Sequence, residues 1–364
     1  MEFSYLYLLQ SQTDSRPYYC RLTWIREFTS GSIPDTVRLS NENRSQDKPK
    51  VAGWCGADGK QTGGQGPNFA KIEAFAQSAA QRGVRLLVFP ECCITGYWFI
   101  RNLSNADLTK LAEPAFTGES SQRLLALAQK YQITLGAGFI EADGGALYNS
   151  YLIAMPNGDA RRHRKLQAFE HPLIKCGSDY TVFDLPEGFR AGVLICYDNN
   201  VNENGRINAL LGAEVIIAPH QTGGCRTKNP HLMGIIERRL WENRVADPEA
   251  IRREFAGEKG RAWLMRWLPS RAHDNGNFLI FANGVGVDDD EIRTGNAMIL
   301  DPYGRILAET GEPSDEMVVA DLDGSLLEHA TGREWIAARR PELYELLTNR
   351  TGLERDTRDL KFEE

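Results

Sequence analysis

The feature of this sequence that most restricts its fold is a repeated alternation of amphipathic helices with short apolar strands. Residues 68–83 carry Ala, Ile and Phe at helical spacing, and the apolar strand pattern VRLLVFPE (84–91) follows at once. The same alternation recurs at 120–131 and 132–141. Such elements bury their apolar faces only by stacking on one another, so the pattern predicts an α/β layered fold with one large core.

The alternation continues toward the C-terminus. A helix is predicted at 202–213, directly after an apolar strand that ends at a cysteine. Further strands are predicted at 146–155, 190–197, 213–220, 277–286 and 295–309, the last as a hairpin around Asp-Pro-Tyr-Gly.

Three segments fall outside this rhythm and divide the chain. Residues 1–48 lack clear periodicity and end in a polar run, so we expect an N-terminal extension before a main domain at 49–325. Residues 225–261 are charged and amphipathic, which predicts a helical insertion that either covers a pocket or contacts another subunit. Residues 326–364 are predicted to be a C-terminal helical tail. The apolar positions of the insertion that fall at helical spacing are Leu232, Ile235, Ile236, Leu240 and Trp241.

Composition excludes several functional classes. The formal net charge of -7 argues against broad nucleic-acid binding, which requires a basic face. No run of about 18 apolar residues predicts a membrane span, and the N-terminal sequence does not resemble a signal peptide. The seven cysteines include no C-x-x-C pair and the six histidines no H-x-x-x-H pair, so we expect neither metal nor disulfide and a cytoplasmic location.

Three predicted strand ends carry polar residues that packing alone does not require. Glu91 follows an apolar strand, Lys165 ends a basic run after a turn, and Cys196 ends the strand RAGVLIC. Singly, each has an ordinary structural explanation: a solvated carboxylate, a solvated basic edge and a small buried hydrophobe. Together they supply a base, a cation and a nucleophile at the carboxyl ends of strands, where α/β proteins collect their sites.

The position of Cys196 predicts a reactive thiol. It precedes a predicted helix, which Asp198 or Asn199 is able to cap, and a helix N-terminus lowers the pKa of a nearby thiol. A carboxylate can then accept the thiol proton, and a lysine can stabilise an oxyanion.

These residues resemble a known family. FPECCITGY around Glu91, HRKL around Lys165 and LICYD around Cys196 are similar, in order and spacing, to the Glu-Lys-Cys triad of the nitrilase superfamily of carbon–nitrogen hydrolases. The resemblance implies a four-layer αββα sandwich and a homodimer or higher homo-oligomer. It assigns Glu91 as general base, Lys165 as oxyanion stabiliser, Cys196 as nucleophile and Glu170 as the second glutamate, and it requires no cofactor.

The resemblance also implies a pocket. The backbone N–H of Tyr197 is expected to bind the oxyanion, and Asn200 is expected near the substrate. His220 is also expected to line the pocket, because it ends the predicted strand AEVIIAPH. Amidases of this family often carry Arg-Phe-Pro where this chain has Asn200, Val201 and Asn202. The sequence therefore does not determine the substrate.

Several functions are compatible with these motifs. A small amide or N-carbamoyl substrate is favoured over a nitrile, because Tyr-Asp rather than Trp-Glu follows the cysteine. Two alternatives belong to other classes: a Cys–His hydrolase using His220 or His171, and a non-catalytic scaffold on the same fold.

Overall fold

The computed structural model describes residues 48–55 and 65–362. The predicted N-terminal extension at 1–48 lies outside the described residues except for Lys48. Within the described ranges, no helix combines the length and the apolar character that crossing a bilayer would need.

The strands of these ranges are short and are spread from Lys50 to Asp321. They are β1 (Lys50–Cys55), β2 (Val84–Val88), β3 (Thr134–Asp143), β4 (Ala146–Ala154), β5 (Ala160–Arg164), β6 (Ile174–Lys175), β7 (Val182–Asp184), β8 (Arg190–Val193), β9 (Val215–His220), β10 (Phe278–Asn283), β11 (Val285–Asp288), β12 (Glu291–Thr294), β13 (Met298–Leu300), β14 (Ile306–Glu309) and β15 (Glu316–Asp321).

The helices occupy most of the intervals between these strands. They are α1 (Gln65–Gln81), α2 (Asn105–Leu111), α3 (Glu119–Tyr131), α4 (Asn202–Leu210), α5 (Arg238–Glu242), α6 (Pro248–Ala256), α7 (Arg261–Leu264), α8 (Leu268–His273), α9 (Thr331–Ala337) and α10 (Thr357–Phe362). Short 3-10 turns add Trp98–Asn102, Cys196–Asn200, Gly324–Leu327, Pro341–Leu343 and Glu345–Leu347.

The main strands form two halves with matching organisation. One half has the order β5-β4-β3-β2-β1-β15 and the other β7-β8-β9-β10-β13-β14. In each half three central strands are parallel, β3-β2-β1 and β8-β9-β10, and antiparallel strands flank them. Between β1 and β10 a single backbone pairing, Cys55 with Asn283, joins the two halves.

Alternate residues of each strand separate the layers. Val88, Val193 and Ile280 belong to the large apolar cluster shared by the inner faces of both halves. The neighbouring Leu87 faces the opposite side, in a cluster with α1 and α3, and Leu279 likewise packs with α8. Because side chains alternate along a strand, this arrangement confirms the predicted αββα sandwich.

The sequence periodicity located most of these elements correctly. The helices at 68–83 and 120–131 and the hairpin around Asp-Pro-Tyr-Gly are present, and Gly83 adopts a left-handed φ of 71° just after α1. The C-terminal tail contains α9 and α10, but the chain between them is largely exposed and forms only short turns.

The segment 225–261 is less helical than its spacing predicts. Residues 225–237 contain no helix, and the helices that follow, α5 and α6, are short. Gly234 has a φ of 116°, a conformation that interrupts a helix, which is why the apolar spacing across it does not form one face. Ile236 and Trp241 are nevertheless buried, and α5 packs against β11 and β12.

The topology brings the polar residues that follow several strands to one edge of the sandwich. β2, β8 and β9 run parallel within their halves, and Glu91, Cys196 and His220 lie at or just beyond the carboxyl ends of these three strands. Lys165 directly follows β5.

We predict that Gly138→Ala destabilises the protein, because Gly138 of β3 supports the turn that carries Glu91. A Cβ at Gly138 would lie 2.2 Å from the backbone N of Cys92, and the Gly138 carbonyl accepts the N–H of Ile94 at 3.0 Å. Urea unfolding should show a loss of about 1–3 kcal/mol or more. Gly66→Ala is the control, since nothing lies within 4 Å of that position; equal stability of the two variants would contradict the prediction.

Candidate active site

The turn after β8 holds Cys196 in a left-handed conformation. Cys196 opens the 3-10 turn Cys196–Asn200 with a φ of 51°, which a non-glycine residue rarely adopts, and its side chain is buried. The carboxylate of Asp198 accepts the N–H of Ile195 at 3.0 Å, and the Asn199 side chain donates to the Leu194 carbonyl at 2.7 Å. These bonds close the turn and hold the thiol at the sheet edge.

The same carboxylate joins this turn to the chain after Lys165. Asp198 accepts the N–H groups of Leu166 at 3.2 Å and Gln167 at 2.8 Å, and His163 Nε2 lies 3.6 Å from it. Asp198 is fully buried. It therefore fixes the segment carrying the lysine relative to the segment carrying the thiol.

Lys165 lies between two carboxylates inside the protein. Its Nζ donates to Glu91 Oε1 at 2.7 Å and to Glu170 Oε1, and all three side chains are fully buried. Asn149 Nδ2 donates to the same two oxygens, at 2.7 Å to Glu91 and 3.0 Å to Glu170. The predicted glutamates and lysine are thus brought together.

Burial and mutual charge set the protonation of this cluster. Burial raises the pKa of Glu91 to about 7, and the nearby Glu170 adds to the effect while Lys165 opposes it. Burial alone would lower the pKa of Lys165, but Glu170 and Glu91 more than offset it and the pKa is raised. For Glu170 burial raises the pKa, but Lys165 outweighs it and the net pKa is lowered.

One oxygen of Glu91 is available for chemistry. Oε1 accepts from Lys165 and Asn149, whereas Oε2 is buried with no hydrogen-bond partner among the described residues. A buried carboxylate oxygen without a partner is energetically costly, and in this position it is free to accept a proton. The negative charge of the Glu91 carboxylate also helps to raise the pKa of the Cys196 thiol.

The thiol differs from its sequence-based prediction. Burial, reinforced by Glu91, raises the pKa of Cys196 well above its ordinary range, although Lys165 and the Gln221 backbone N–H act in the opposite sense. The turn that follows is a single 3-10 turn, and neither Asp198 nor Asn199 caps α4, whose N-cap is Val201. The predicted lowering of the thiol pKa by a helix N-terminus is therefore wrong, because desolvation outweighs so short a dipole.

Aromatic side chains line the cluster on one side. We call Tyr97, Trp98, Phe169 and Tyr197 the aromatic wall. The hydroxyl of Tyr97 donates to Glu170 at 3.5 Å, and Lys165 Nζ lies 4.5 Å from the centre of the Phe169 ring. Phe169 meets Tyr197 edge-on at 6.0 Å and Trp98 at 6.5 Å.

The sequence predicts three further residues near the substrate, Tyr197, Asn200 and His220, and the structure places them in different environments. Tyr197 is half-buried in the aromatic wall, whereas Asn200 is exposed and its carbonyl accepts a hydrogen bond from Arg271. His220 is buried against Phe281, with Nε2 at 3.0 Å from Asn199 Nδ2, and burial holds its pKa well below the usual range.

His171, the other candidate for a Cys–His pair, uses both ring nitrogens elsewhere. Its Nε2 lies 3.1 Å from the Leu103 carbonyl, and its Nδ1 accepts the N–H of Leu173 at 3.2 Å. The hydrogen bonds of the described residues therefore connect Lys165, and neither of these two histidines, to the carboxylates.

Sequence reasoning missed two members of the site. Asn149 bonds to both glutamates and also accepts the Cys92 thiol at 3.4 Å, and Tyr97 bonds to Glu170. The available signal for Asn149 was a polar amide within the apolar strand pattern ALYNSYLIA. The available signal for Tyr97 was its place at the end of the motif FPECCITGY, although an aromatic residue after a strand is by itself ordinary.

Comparison with known proteins identifies the family of this site. Residues 55–330 match the family model described as carbon-nitrogen hydrolase. The chain belongs to the carbon–nitrogen hydrolase family. The predicted membership of the carbon–nitrogen hydrolases is thereby confirmed. Solved structures that share this fold at about 20% identity include an amidase of the nitrilase superfamily.

Relatives of this carbon–nitrogen hydrolase include proteins named as amidase and as nitrilase. An (R)-stereoselective amidase of Pseudomonas sp. is 32% identical over 242 residues, 65% of this chain and 73% of the relative. A nitrilase of Pyrococcus abyssi is 28% identical over 260 residues, 70% and 83% of the two chains. The amidase of Nesterenkonia sp. AN1 shares the fold with a TM-score of 0.61 at 20% identity, over 82% of this chain and 97% of its own.

We predict that Lys165→Met destabilises the enzyme strongly, because it leaves two buried carboxylates facing each other. Breaking a buried ion pair in this way costs about 3–5 kcal/mol. The two carboxylates of the variant bind protons more tightly when folded than when unfolded, so its stability should fall as pH rises from about 5 to 8. Urea unfolding across this range measures both effects.

Lys110→Met is the matched control for this experiment. Lys110 pairs with Asp107 at the surface, 3.4 Å apart, and solvent screens such a pair so that it contributes little to stability. Equal losses of stability for the two variants would contradict the prediction that Lys165 compensates the charges of two buried carboxylates.

Proposed function

We propose that this enzyme hydrolyses a small amide or N-carbamoyl compound through a thioester with Cys196. The observation that carries the proposal is the free Oε2 of Glu91, held in one buried cluster with a protonated thiol and a lysine cation. A nucleophile, a base with a vacant oxygen and an oxyanion partner are the groups that acyl transfer requires.

The first half-reaction forms the acyl-enzyme. Glu91 Oε2 accepts the thiol proton as the Cys196 sulfur attacks the amide carbon, so no resting thiolate is needed. Lys165 Nζ and the Tyr197 N–H bind the oxyanion. Glu91 then returns the proton to the amide nitrogen, the C–N bond breaks, and ammonia or an amine leaves with a thioester behind.

The second half-reaction releases the acid. Glu91 takes a proton from a water molecule that attacks the thioester carbon, the carbon–sulfur bond breaks, and the thiol recovers its proton. Glu170 and Asn149 act as positioning residues, because they hold Lys165 and Glu91 through the hydrogen bonds described above.

An amide is the substrate class we favour over a nitrile. Among the relatives described above, the one with the higher identity is named an amidase, and in the Nesterenkonia structure the acetamide moiety of fluoroacetamide is covalently added at the active-site cysteine. In this chain Cys196 opens a 3-10 turn just after β8.

We predict that activity requires both Cys196 and Glu91. Ammonia release from propionamide should be abolished in Cys196→Ala and should fall by about 10²–10⁴ in Glu91→Gln, the usual contribution of a general base. Acid quenching followed by peptide mass analysis should find the acyl group on Cys196. Cys176→Ala, which changes an exposed thiol, is the control and should keep full activity.

Substrate class is decided in the same assay. Amides, N-carbamoyl amines and nitriles are compared by kcat/KM. An active Cys196→Ala enzyme, or an adduct on another cysteine, would contradict the mechanism, and preference for the nitriles would contradict the substrate class.

We predict that kcat/KM rises with pH through a limb near pH 7. The base must be ionised to accept the thiol proton, and burial raises the pKa of Glu91 to about 7. Activity is therefore lost as pH falls below this value. A limb close to pH 4.5, the ordinary value for a glutamate, or one only above pH 8, would remove Glu91 from this role.

A further inference from the structure

The C-terminal helix lies against the aromatic wall of the active site. Phe362, at the end of α10, stacks on Trp98 with ring centres 6.2 Å apart and an angle of 16°. It also meets Phe169 at 6.4 Å. Phe169 is the residue whose ring lies 4.5 Å from Lys165 Nζ, so one aromatic ring separates Phe362 from the catalytic cluster.

Two hydrogen bonds fasten α10 in this position. Arg358 Nη1 donates to the Phe169 carbonyl at 2.8 Å, and Lys361 Nζ donates to the Arg226 carbonyl at 3.3 Å. The Arg358 guanidinium also lies 5.0 Å from the Phe362 ring centre. The helix therefore spans from the residue beside Glu170 to the beginning of the 225–261 segment.

The chemistry below this helix is shut off from solvent. Glu91 and Lys165 are 0% exposed and Cys196 is 8% exposed, whereas Phe362 is 40% exposed. Phe362 therefore lies between solvent and the buried rings of Trp98 and Phe169. The chain at 338–356 that leads to it is largely exposed, so α10 is held in place mainly by its contacts with the wall and with Arg226.

We propose that Phe362 is a specificity-determining residue, whose ring closes the outer side of the aromatic wall and limits the size of the substrate's acyl group. The inference rests on the proposed amide hydrolysis and adds to it a substrate class, amides with an apolar acyl group. A wall of four aromatic rings favours apolar groups and flat ones, and a fifth ring at its outer edge restricts their length.

The experiment compares acetamide with phenylacetamide. Phe362→Ala and a chain ending at Asp356 should raise the ratio of kcat/KM for phenylacetamide over acetamide by about tenfold or more, the effect of changing a hydrophobic pocket by a few carbons. Leu360→Ala is the matched control, because Leu360 is an exposed apolar residue of the same helix. Its ratio should equal that of the wild type.

Binding measured without turnover separates this inference from the proposed function. In a Cys196→Ala background, the ratio of the dissociation constants for the two amides should shift by the same factor on adding Phe362→Ala. A wild-type enzyme that hydrolyses neither these amides nor N-carbamoyl amines would contradict the proposed function, and the ratio of dissociation constants would still test Phe362. An unchanged ratio in both assays, or equal gains for both amides, would overturn the role of Phe362, since equal gains indicate a general obstruction rather than a size limit.

Discussion

The active site depends on one buried cation held between two buried carboxylates. Lys165 has no contact with solvent, and its charge is maintained only because Glu91 and Glu170 lie within hydrogen-bond distance. Removing such charges from water is costly, and the cost is offset only if every partner is held in place. Asn149, Tyr97 and the N–H of Phe169 supply that positioning, each from a different part of the chain.

The same burial divides the chemical roles. Desolvation raises the pKa of Glu91 to about 7 and keeps the Cys196 thiol protonated, so in the proposed mechanism the carboxylate and the thiol work as a pair. The left-handed backbone at Cys196 and the carboxylate of Asp198 complete the arrangement. Asp198 accepts hydrogen bonds both from the segment that follows Lys165 and from the turn that carries Cys196. It therefore fixes the positions of these two loops relative to each other.

The sandwich explains why these groups meet. Parallel central strands in each half send their carboxyl ends to one edge, and the single pairing between β1 and β10 joins the halves there. The aromatic wall is then built from segments after β2, β5 and β8, and α10 packs onto it from the far end of the chain. The surroundings of the site therefore include the C-terminal helix as well as the core.

Sequence by itself determined the layered α/β fold and the positions of Glu91, Lys165 and Cys196, because strand periodicity and strand ends are local patterns. Tertiary structure decided the rest. Asn149 joins the site through partners 58 and 21 residues away, and the thiol pKa depends on burial, which no local pattern records. Helical spacing failed at 225–237, where the left-handed Gly234 interrupts it. The sequence likewise did not predict the position of Phe362. Its contact with Trp98 joins residues more than 250 positions apart in the chain and arises only from packing.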